Sequence, residues 1–321
     1  MLISLVQLGT VDYATGLKLQ QQLVALRKEE KIGDVLLLLE HSPVITLGRN
    51  AKAANVIASP ELLAKRGVEL FECDRGGDVT FHGPGQIVGY PIFDLRGFAH
   101  SSPLSSRAEE NDSKSRSRES RACPEQPTEE RAPNGDPAFQ RKYIGVIEFV
   151  RRLEEVQIRT CADFGIPTKR VPGLTGVWTD PQSLSSRAEA SDSKSRSLES
   201  RDLESGVGAE AKLAAIGVHI SRFVTSHGFA LNVNTDLSFF NLIVPCGITS
   251  KPVTSMQQEL GRQLDLNAVA ESISRNFGVV FQSQMLWVDT LDALLGRSVG
   301  VPMRPPVDLR RLHKEDDTTY A

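Results

Sequence analysis

A cysteine framed by a proline and a glycine is the residue of this sequence best suited to covalent chemistry. Cys246 ends the apolar run IVPCGI, where Pro245 restricts the approach of the chain and Gly247 leaves the thiol and the following N–H unobstructed. A thiol reacts as its thiolate and is mostly protonated near neutral pH, so it needs a basic partner. The candidate partners are His82, His219, His227 and Lys212. From the residues alone, Cys246 is either a catalytic thiol or a structural residue.

The other reactive residues are more ambiguous. Cys73 lies in a strand-like run and Cys161 in an apolar helical stretch, so both are interpreted as buried small hydrophobic residues. Cys123 lies in a polar segment where we expect no catalytic site. Lys212 opens the apolar run KLAAIGVHI and is either a solvated residue at a strand edge or an inward-facing ammonium with a lowered pKa.

The glycine-rich stretch RGGDVTFHGPGQ, residues 75–86, lies between two apolar runs that are typical of strands. It lacks the Lys–Ser/Thr pair of a P-loop and does not lead from a strand into a helix, so a phosphate site is disfavoured. Glycines also let a backbone approach a ligand closely, which suits a carbonyl group or an extended chain lying along the loop. The alternative is that the glycines only form a tight turn. The sequence contains no HExxH, GxSxG or spaced Cys/His motif, so we expect no metal site.

Composition sets limits on the class of protein. The 321 residues are 40% hydrophobic, enough for a sizeable core in one large domain or two ordinary ones. A net charge of −3 gives no general electrostatic reason to expect binding to nucleic acid or membranes. No stretch approaches the roughly 18 apolar residues of a membrane span, and the first residues lack the basic region of a signal peptide. Four cysteines without a CxxC pair fit free thiols in a reducing cytosol, so we expect a cytoplasmic protein.

A polar segment occurs twice, as LSSRAEENDSKSRSRESR at residues 104–121 and as LSSRAEASDSKSRSLESR at 184–201. Both copies are rich in Ser, Arg and Glu and almost free of apolar residues, so neither can bury enough surface to offset the entropy of ordering. We predict two disordered surface insertions, at about 100–138 and about 182–209, in a single domain of residues 1–300 with a polar tail at 301–321. The alternative is a pair of charged helices that dock on a partner.

Outside these insertions the chain is typical of an α+β protein. Strands are predicted at 2–8, 35–40, 43–48, 68–73, 87–95, 175–180, 212–220, 222–228 and 229–234, and helices from Asp12 to about Glu30, over about 139–164, near 266–277 and near 289–296. In the second helix, helical spacing predicts one apolar face from Tyr143, Val146, Ile147, Val150 and Leu153. We expect a mixed, mainly antiparallel sheet with flanking helices.

The motifs taken together resemble those of the octanoyltransferases, also called lipoate–protein ligase B. The resemblance runs through EHSPVITLGR, RGGDVTFHGPGQIVGYPIFDLR, GVWTD and AKLAAIGVHISRFVTSHGFALNVNTDLSFFNLIVPCGI, which cover nearly the whole chain outside the insertions and the extreme C-terminus. It implies the fold of biotin and lipoate ligases, which is like a class II synthetase catalytic domain. It also implies transfer of an octanoyl group from acyl carrier protein to a lysine of a lipoyl domain. No metal or nucleotide is implied, because the thioester donor is already activated.

The resemblance also assigns roles to residues. It implies that Cys246 forms the acyl thioester and that Lys212 lowers its pKa. The substrate-binding residues it implies are Arg75, Gly76, Gly77, Asp78, Val79, Thr80, Phe81, His82, Ala215, Ile216, Gly217, Gly228, Phe229 and Ala230. Phe81 stands where tyrosine is frequent in the family, so we expect no hydroxyl role at that position.

The implied partners are octanoyl-acyl carrier protein and the lipoyl domains of 2-oxoacid dehydrogenase complexes and of the glycine cleavage H protein, and the enzyme is expected to be a monomer. Five cations near the motifs form either a basic rim for the acidic carrier or scattered solubilising charge. They are Arg49, Lys52, Lys169, Arg170 and Lys251.

Two other function classes are open at the level of sequence. An ATP-dependent lipoate or biotin ligase on the same fold would make an acyl-adenylate and would have no use for a nucleophilic cysteine. A non-catalytic protein that binds lipoyl domains would need neither Cys246 nor Lys212. The cysteine in its Pro–Gly frame therefore favours the transferase.

Overall fold

The structure is a computed structural model that describes residues 1–98, 143–181, 210–247 and 251–295. Both predicted insertions, Cys123 and the C-terminal tail lie outside the described residues. The strands are β1 (Leu2–Val11), β2 (Asp34–His41), β3 (Val44–Leu47), β4 (Glu69–Glu72), β5 (Val79–His82), β6 (Gln86–Ile92), β7 (Thr168–Val171), β8 (Leu174–Thr179), β9 (Lys212–Ser221), β10 (Val224–Asn232) and β11 (Gln284–Trp287). The helices are α1 (Tyr13–Lys28), α2 (Pro60–Arg66), α3 (Val146–Asp163), α4 (Met256–Leu260), α5 (Leu266–Phe281) and α6 (Leu291–Leu295).

Most of the strands belong to one large sheet. Its order is β11-β1-β2-β6-β10-β9-β8-β7. β1 pairs in parallel with β11 and with β2, and the remaining pairings in this sheet are antiparallel. The predicted α+β class, with a mixed, mainly antiparallel sheet and flanking helices, is confirmed.

The core lies on both faces of this sheet. All eight residues of β2 are buried, and its successive side chains point to opposite faces. Leu36 and Leu38 pack in the cluster that α3 and α5 cover, whereas Leu37 and Leu39 pack in the cluster that includes α1. Because helices protect both faces, the middle of the sheet is a rigid support for the strands that carry the site.

Helix α1 begins where the sequence predicts. The carboxylate of Asp12 accepts a hydrogen bond from the Thr15 N–H at 2.8 Å, which satisfies one of the free donors of the first turn. Leu19 and Leu23 are buried against the sheet, and Leu26 is half-buried. None of the helices in the described part of the chain is long and apolar enough to cross a membrane.

The predicted face of the second long helix is wrong except at Leu153, which is fully buried. α3 starts at Val146, after Tyr143, and Ile147 is 76% exposed. The buried side chains are Phe149, Arg152, Leu153, Glu154, Val156, Gln157, Thr160 and Cys161. Half of the residues on this buried face are polar, so the spacing of the apolar residues alone did not identify it.

The chain after residue 221 forms one strand rather than the two that were predicted. Arg222 and Phe223 make the turn between β9 and β10, both with positive φ, and Val224 pairs with Ser221. Such a two-residue hairpin normally contains Asn or Gly, and neither residue occurs at positions 222 and 223 to indicate a turn. β10 then continues through His227, whose φ of 55° distorts the strand without ending it.

A second, three-stranded sheet in the order β4-β3-β5 lies beside the large one. Its strand β5 falls inside the glycine-rich stretch, which the sequence predicted to be a loop throughout. Val44 pairs with His82 and Thr46 with Thr80, so β3 supports this stretch along its length. The small sheet therefore holds the glycine-rich segment against β9 and β10.

Candidate active site

The turn before β5 is held in close contact with the middle of β9. Gly76 N–H donates to the Val218 carbonyl at 3.1 Å. A Cβ on Gly217 would lie 2.6 Å from the Gly76 carbonyl oxygen, so no side chain fits there. Gly77 has φ of 90°, a conformation that other residues rarely adopt. These glycines serve a close backbone approach and not only a tight turn.

Arg75 fastens the same turn to the small sheet. Its buried guanidinium donates to the Thr46 carbonyl at 2.7 Å and to the Thr46 hydroxyl at 2.8 Å. A further N–H donates to the Gly76 carbonyl at 3.1 Å. The fixed fork of donors on arginine suits this bridging better than a lysine would.

A mostly apolar pocket opens between the glycine-rich turn and the β9–β10 hairpin. The cavity has a volume of about 50 Å³ and is partly open to solvent. Its lining residues are Tyr13, Arg75, Gly76, Gly77, Asp78, Thr80, His82, Val88, Tyr90, Ala215, Ile216, Gly217, His227, Gly228, Phe229 and Ala230. Its mainly apolar lining suits an aliphatic group.

Twelve of the fourteen residues expected to bind substrate line this pocket, and Val79 and Phe81 are the two that do not. Because side chains alternate along β5, Thr80 and His82 face the pocket while Val79 and Phe81 face the small core. Phe81 stacks on Phe239 with ring centroids 4.7 Å apart. Its lack of a hydroxyl is explained by this packing.

Tyr13, Val88, Tyr90 and His227 were not predicted as lining residues, although His227 was a candidate base. Two of them could have been found from the sequence. Val88 and Tyr90 are alternate residues of the run that was correctly predicted as β6, so their side chains lie on the same face of the sheet. His41 donates from Nδ1 to the Val11 carbonyl at 2.7 Å and accepts at Nε2 from the Tyr90 hydroxyl at 2.6 Å. Burial lowers the pKa of His41 to about 4 and raises the pKa of Tyr90.

Lys212 is buried at the first residue of β9. Its N–H donates to the Pro252 carbonyl at 2.8 Å, and its carbonyl accepts from the Thr254 N–H at 3.0 Å. The ammonium lies 5.3 Å from the centre of the Trp178 ring. Lys212 is therefore the inward-facing residue that one of the two sequence interpretations predicted, and not a solvated residue at a strand edge.

A second hollow lies beside the pocket and is lined in part by Lys212. It is lined by Thr80, Gln86, Lys212, Ala214, Ala215, Ala230, Asn232, Phe240, Pro245 and Val253. Thr80, Ala215 and Ala230 line both spaces, so the two share a wall. Lys212 and the residue before Cys246 therefore face the same hollow.

Cys246 lies in a single 3-10 turn, Pro245–Gly247, against β5. Its side chain lies outside the described part of the structure. The Gly247 N–H donates to the Val244 carbonyl at 3.1 Å. The expectation that the N–H after the cysteine is unobstructed is therefore wrong, because the turn itself uses that donor.

Asn55 and Asp78 anchor the cysteine turn. The Val244 N–H donates to the Asn55 carbonyl at 2.7 Å, and the Asn55 side chain donates to Asp78 Oδ2 at 2.6 Å. The same carboxylate oxygen would lie 2.9 Å from a Cβ on Gly247. The cysteine turn and the glycine-rich turn are thus joined by one asparagine and one aspartate.

The candidate bases His219 and His227 are both bonded to Asp74. His219 Nδ1 lies 2.5 Å and His227 Nε2 lies 2.7 Å from its carboxylate oxygens. Burial alone would raise the pKa of Asp74, but the hydrogen bonds from the two histidines hold it below its usual range. Burial also lowers the pKa of His227. Of the four candidate partners of Cys246, only Lys212 lines the hollow that Pro245 closes.

The five cations expected at the rim do not form a free basic patch. Lys169 pairs with Asp180 and Glu210, and Lys251 also pairs with Glu210. Arg170 pairs with Glu154 and Glu155. Arg49, which contacts His219 at 3.1 Å, and Lys52 remain beside the glycine-rich turn.

The other two described cysteines differ in burial. Cys161 is fully buried, and burial raises its pKa to about 12. Cys73 is half-buried, and its thiol donates to the Leu47 carbonyl at 3.4 Å. Within residues 1–98, 143–181, 210–247 and 251–295, no group of three or more metal-ligating side chains occurs.

Known proteins are similar to this chain over most of its length. The model of the lipoyl protein ligase A/B catalytic domain matches residues 12–107 and 132–278. An octanoyltransferase of Koribacter versatilis is 51% identical, over 98% of each chain. An octanoyltransferase of Acidobacterium capsulatum is 46% identical, over 92% of this chain and 96% of its own.

The fold is shared with more distant proteins. A solved bi-partite lipoate protein ligase of Thermoplasma acidophilum aligns with a TM-score of 0.53 over 96% of this chain and 99% of its own, at 12% sequence identity. At that identity the likeness concerns the fold alone. It confirms the expectation of a lipoate-ligase-like fold.

Proposed function

Because this chain belongs to the lipoyl protein ligase A/B catalytic-domain family and its relatives are octanoyltransferases, we propose that it transfers octanoyl groups through a thioester on Cys246. The chain is an acyltransferase of protein lipoylation. The proposed donor is octanoyl-acyl carrier protein, and the proposed acceptors are lysines of lipoyl domains, in 2-oxoacid dehydrogenase complexes and in the glycine cleavage H protein.

One observation supports this proposal most strongly. Buried Lys212 and Pro245, the neighbour of Cys246, line one hollow, and that hollow shares a wall with the apolar pocket. A reactive thiol, a basic group and a slot for an aliphatic chain are what acyl transfer requires. The proposed site therefore comprises Cys246, Lys212 and the substrate-binding residues that line the pocket.

In the first step, Lys212 takes the proton of the Cys246 thiol, and the thiolate attacks the carbonyl of the donor thioester. The bond between that carbonyl and the sulfur of the carrier breaks, and the leaving thiolate receives the proton from Lys212. The octanoyl group is then joined to Cys246, with its chain along the pocket. Trp178, 5.3 Å from the ammonium, stabilises Lys212 while it carries the proton.

In the second step, the amine of the acceptor lysine attacks the acyl-enzyme carbonyl. The C–N bond forms, the C–S bond to Cys246 breaks, and Lys212 passes a proton from the amine to the departing thiolate. The oxyanion needs donors other than Gly247, whose N–H is used within its own turn.

The test is the intact mass of the enzyme after incubation with octanoyl-acyl carrier protein. We expect one octanoyl adduct, located by peptide mapping on the peptide that contains Cys246 and lost in Cys246→Ser. Cys73→Ser is the matched control and should keep the adduct, since that thiol donates to Leu47 away from the hollow. An adduct on Cys73 or Cys161, or full transfer by Cys246→Ser, would show that the thioester proposal is wrong.

A further inference from the structure

Two buried amide side chains, hydrogen-bonded to each other, link the pocket wall to the backbone segment that pairs with Lys212. Gln86 and Asn232 are paired neighbours on β6 and β10, and both are buried. At one end Gln86 contacts His82 in the pocket wall. At the other end Asn232 contacts the carbonyl of Thr254, whose N–H donates to Lys212.

The orientation of each amide is fixed by a backbone carbonyl, which can only accept. The Asn232 amide nitrogen donates to the Thr254 carbonyl at 3.0 Å, so its oxygen faces Gln86. The Gln86 amide nitrogen donates to the Phe81 carbonyl at 3.2 Å and to that Asn232 oxygen at 2.8 Å. The oxygen of Gln86 must therefore be the atom that lies 2.7 Å from His82 Nδ1.

This orientation determines where His82 carries its hydrogen. An amide oxygen accepts only, so His82 Nδ1 must be the donor. Burial, with a smaller effect of His41, lowers the pKa of His82 to about 3, so the ring is neutral at physiological pH and has a single N–H. Nε2 then carries a lone pair, and it has no hydrogen-bond partner among the described residues.

We infer that Gln86 and Asn232 are positioning residues that fix His82 as the Nδ1–H tautomer, so that His82 presents a hydrogen-bond acceptor to the pocket. The resemblance to octanoyltransferases assigns neither amide a role. His82, which lines the pocket, cannot in this state donate to an oxyanion.

The chemical consequence rests on the proposed function. A thioester carbonyl has no hydrogen to give, whereas the attacking lysine amine has. His82 Nε2 is therefore suited to accept a hydrogen bond from that amine and so to orient its lone pair toward the acyl carbon. No proton moves to His82 in this role, and Gln86 acts only through His82.

The tautomer is measured directly by long-range ¹H–¹⁵N correlation in the whole protein with ¹⁵N-labelled histidine. The signals of His82 are those that disappear in His82→Asn. We expect them to show hydrogen on Nδ1 in the wild-type protein. His41 is an internal reference, because its Nδ1 faces the Val11 carbonyl and should show the same tautomer in every variant.

Gln86→Met keeps the length of the side chain but removes the acceptor opposite Nδ1. The Nδ1–H signature of His82 should then be lost, while that of His41 is kept. We expect transfer from acyl-enzyme to lysine to slow about tenfold, the loss expected for one hydrogen bond near the reacting atoms. The rate of acylation by the donor and the KM for the donor should change little.

The matched control is Gln157→Met, the same substitution at a fully buried glutamine of α3 whose amide has no partner among the described residues. It should leave both histidine signatures and both half-reactions as they are. A wild-type His82 with hydrogen on Nε2 would overturn the inference, whether or not any variant folds. So would a Gln86→Met protein that keeps both the Nδ1–H signature and the transfer rate. Failure to find an adduct on Cys246 would overturn the proposed function but leave the tautomer measurement unaffected.

Discussion

At the scale of single residues, burial decides which groups under the pocket carry charge. The rings of His41 and His82 lie 5.9 Å apart, and burial lowers their pKa values to about 4 and about 3. Neither ring contacts a carboxylate that could stabilise a positive charge. Both therefore act as neutral hydrogen-bonding groups at physiological pH, which leaves Lys212 as the proton carrier in the proposed reaction.

These lowered values make a prediction about acid stability. As the pH falls below about 6.5, the histidines of the unfolded chain bind protons before those of the folded chain do. The stabilising contribution of His41 is thus complete above about pH 6.5 and is lost progressively as the pH falls toward about 4.

His41→Gln should flatten the dependence of the unfolding free energy on pH between 6.5 and 4 by up to about 1.4 kcal/mol per pH unit. The measurement is urea denaturation of wild type and variant at several pH values. Between pH 7 and 8, where the histidine is neutral in both states, the two slopes should agree even if the variant is less stable. Equal slopes at acid pH would show that His41 does not bind its proton on unfolding.

The second prediction at this scale concerns Cys246 and Lys212 as one catalytic unit. Cys246→Ser and Lys212→Ala should each slow single-turnover transfer by a factor on the order of a thousand or more. The double variant should lose little more than either single variant, because members of a catalytic unit are not additive. Lys212→Arg should not restore activity, since a guanidinium stays charged and cannot accept a proton. Additive losses would mean that the two residues act independently.

At the scale of elements, the turn that carries Cys246 depends on contacts outside its own segment. Its chain is joined to the glycine-rich turn through Asn55 and Asp78. Asn55→Ala removes the amide that donates to Asp78 but keeps the backbone carbonyl that accepts from Val244. We expect a loss of about tenfold in transfer rate, the effect of about one hydrogen bond, with a change of about 1 kcal/mol in stability.

The control for that variant is Asn50→Ala on the same loop. Asn50 is exposed, and its side chain has no hydrogen bond among the described residues. It should match wild type in melting temperature and in transfer rate. If Asn55→Ala does so as well, the anchoring of the cysteine turn does not affect the reaction.

Local signals made some elements predictable and left others hidden. The cap at Asp12 and the apolar run 35–39 of β2 were predictable, because residues close in sequence determine them. The single-strand course of β10 was not predictable, since a turn at Arg222 and Phe223 is imposed by the pairing of β9 with β10. β5 was missed because its partner β3 lies more than thirty residues earlier.

The residues of the candidate site were likewise predictable only in part. The resemblance found residues on three separate segments that the structure brings to one pocket, although their role in binding remains a prediction. Tyr13 was not found, because its place in the wall depends on how α1 packs against the sheet. The link from Gln86 to Asn232 spans 146 positions and could be seen only once β6 and β10 were paired.

At the scale of the whole molecule, the pocket lies where the small sheet meets the large one. Arg75, on the turn before β5, bonds to β3, and Gly76 bonds to β9, so one short turn joins both sheets. The site therefore depends on the described segments of the chain and on their packing.

The last prediction concerns the two repeated segments, which are almost free of apolar residues. We propose that residues 1–300 are one catalytic domain in which the segments 104–121 and 184–201 are dispensable. The family match passes over residues 108–131 but runs through 184–201. Deleting both segments should change stability by only about 1 kcal/mol, because closure entropy varies slowly with loop length. Melting temperature and single-turnover transfer should therefore stay close to wild type. Replacing each segment by Gly/Ser of equal length separates the effect of sequence from that of length. If the deletion and the replacement both abolish folding or transfer, the two repeats dock on the core, as the alternative of charged helices requires.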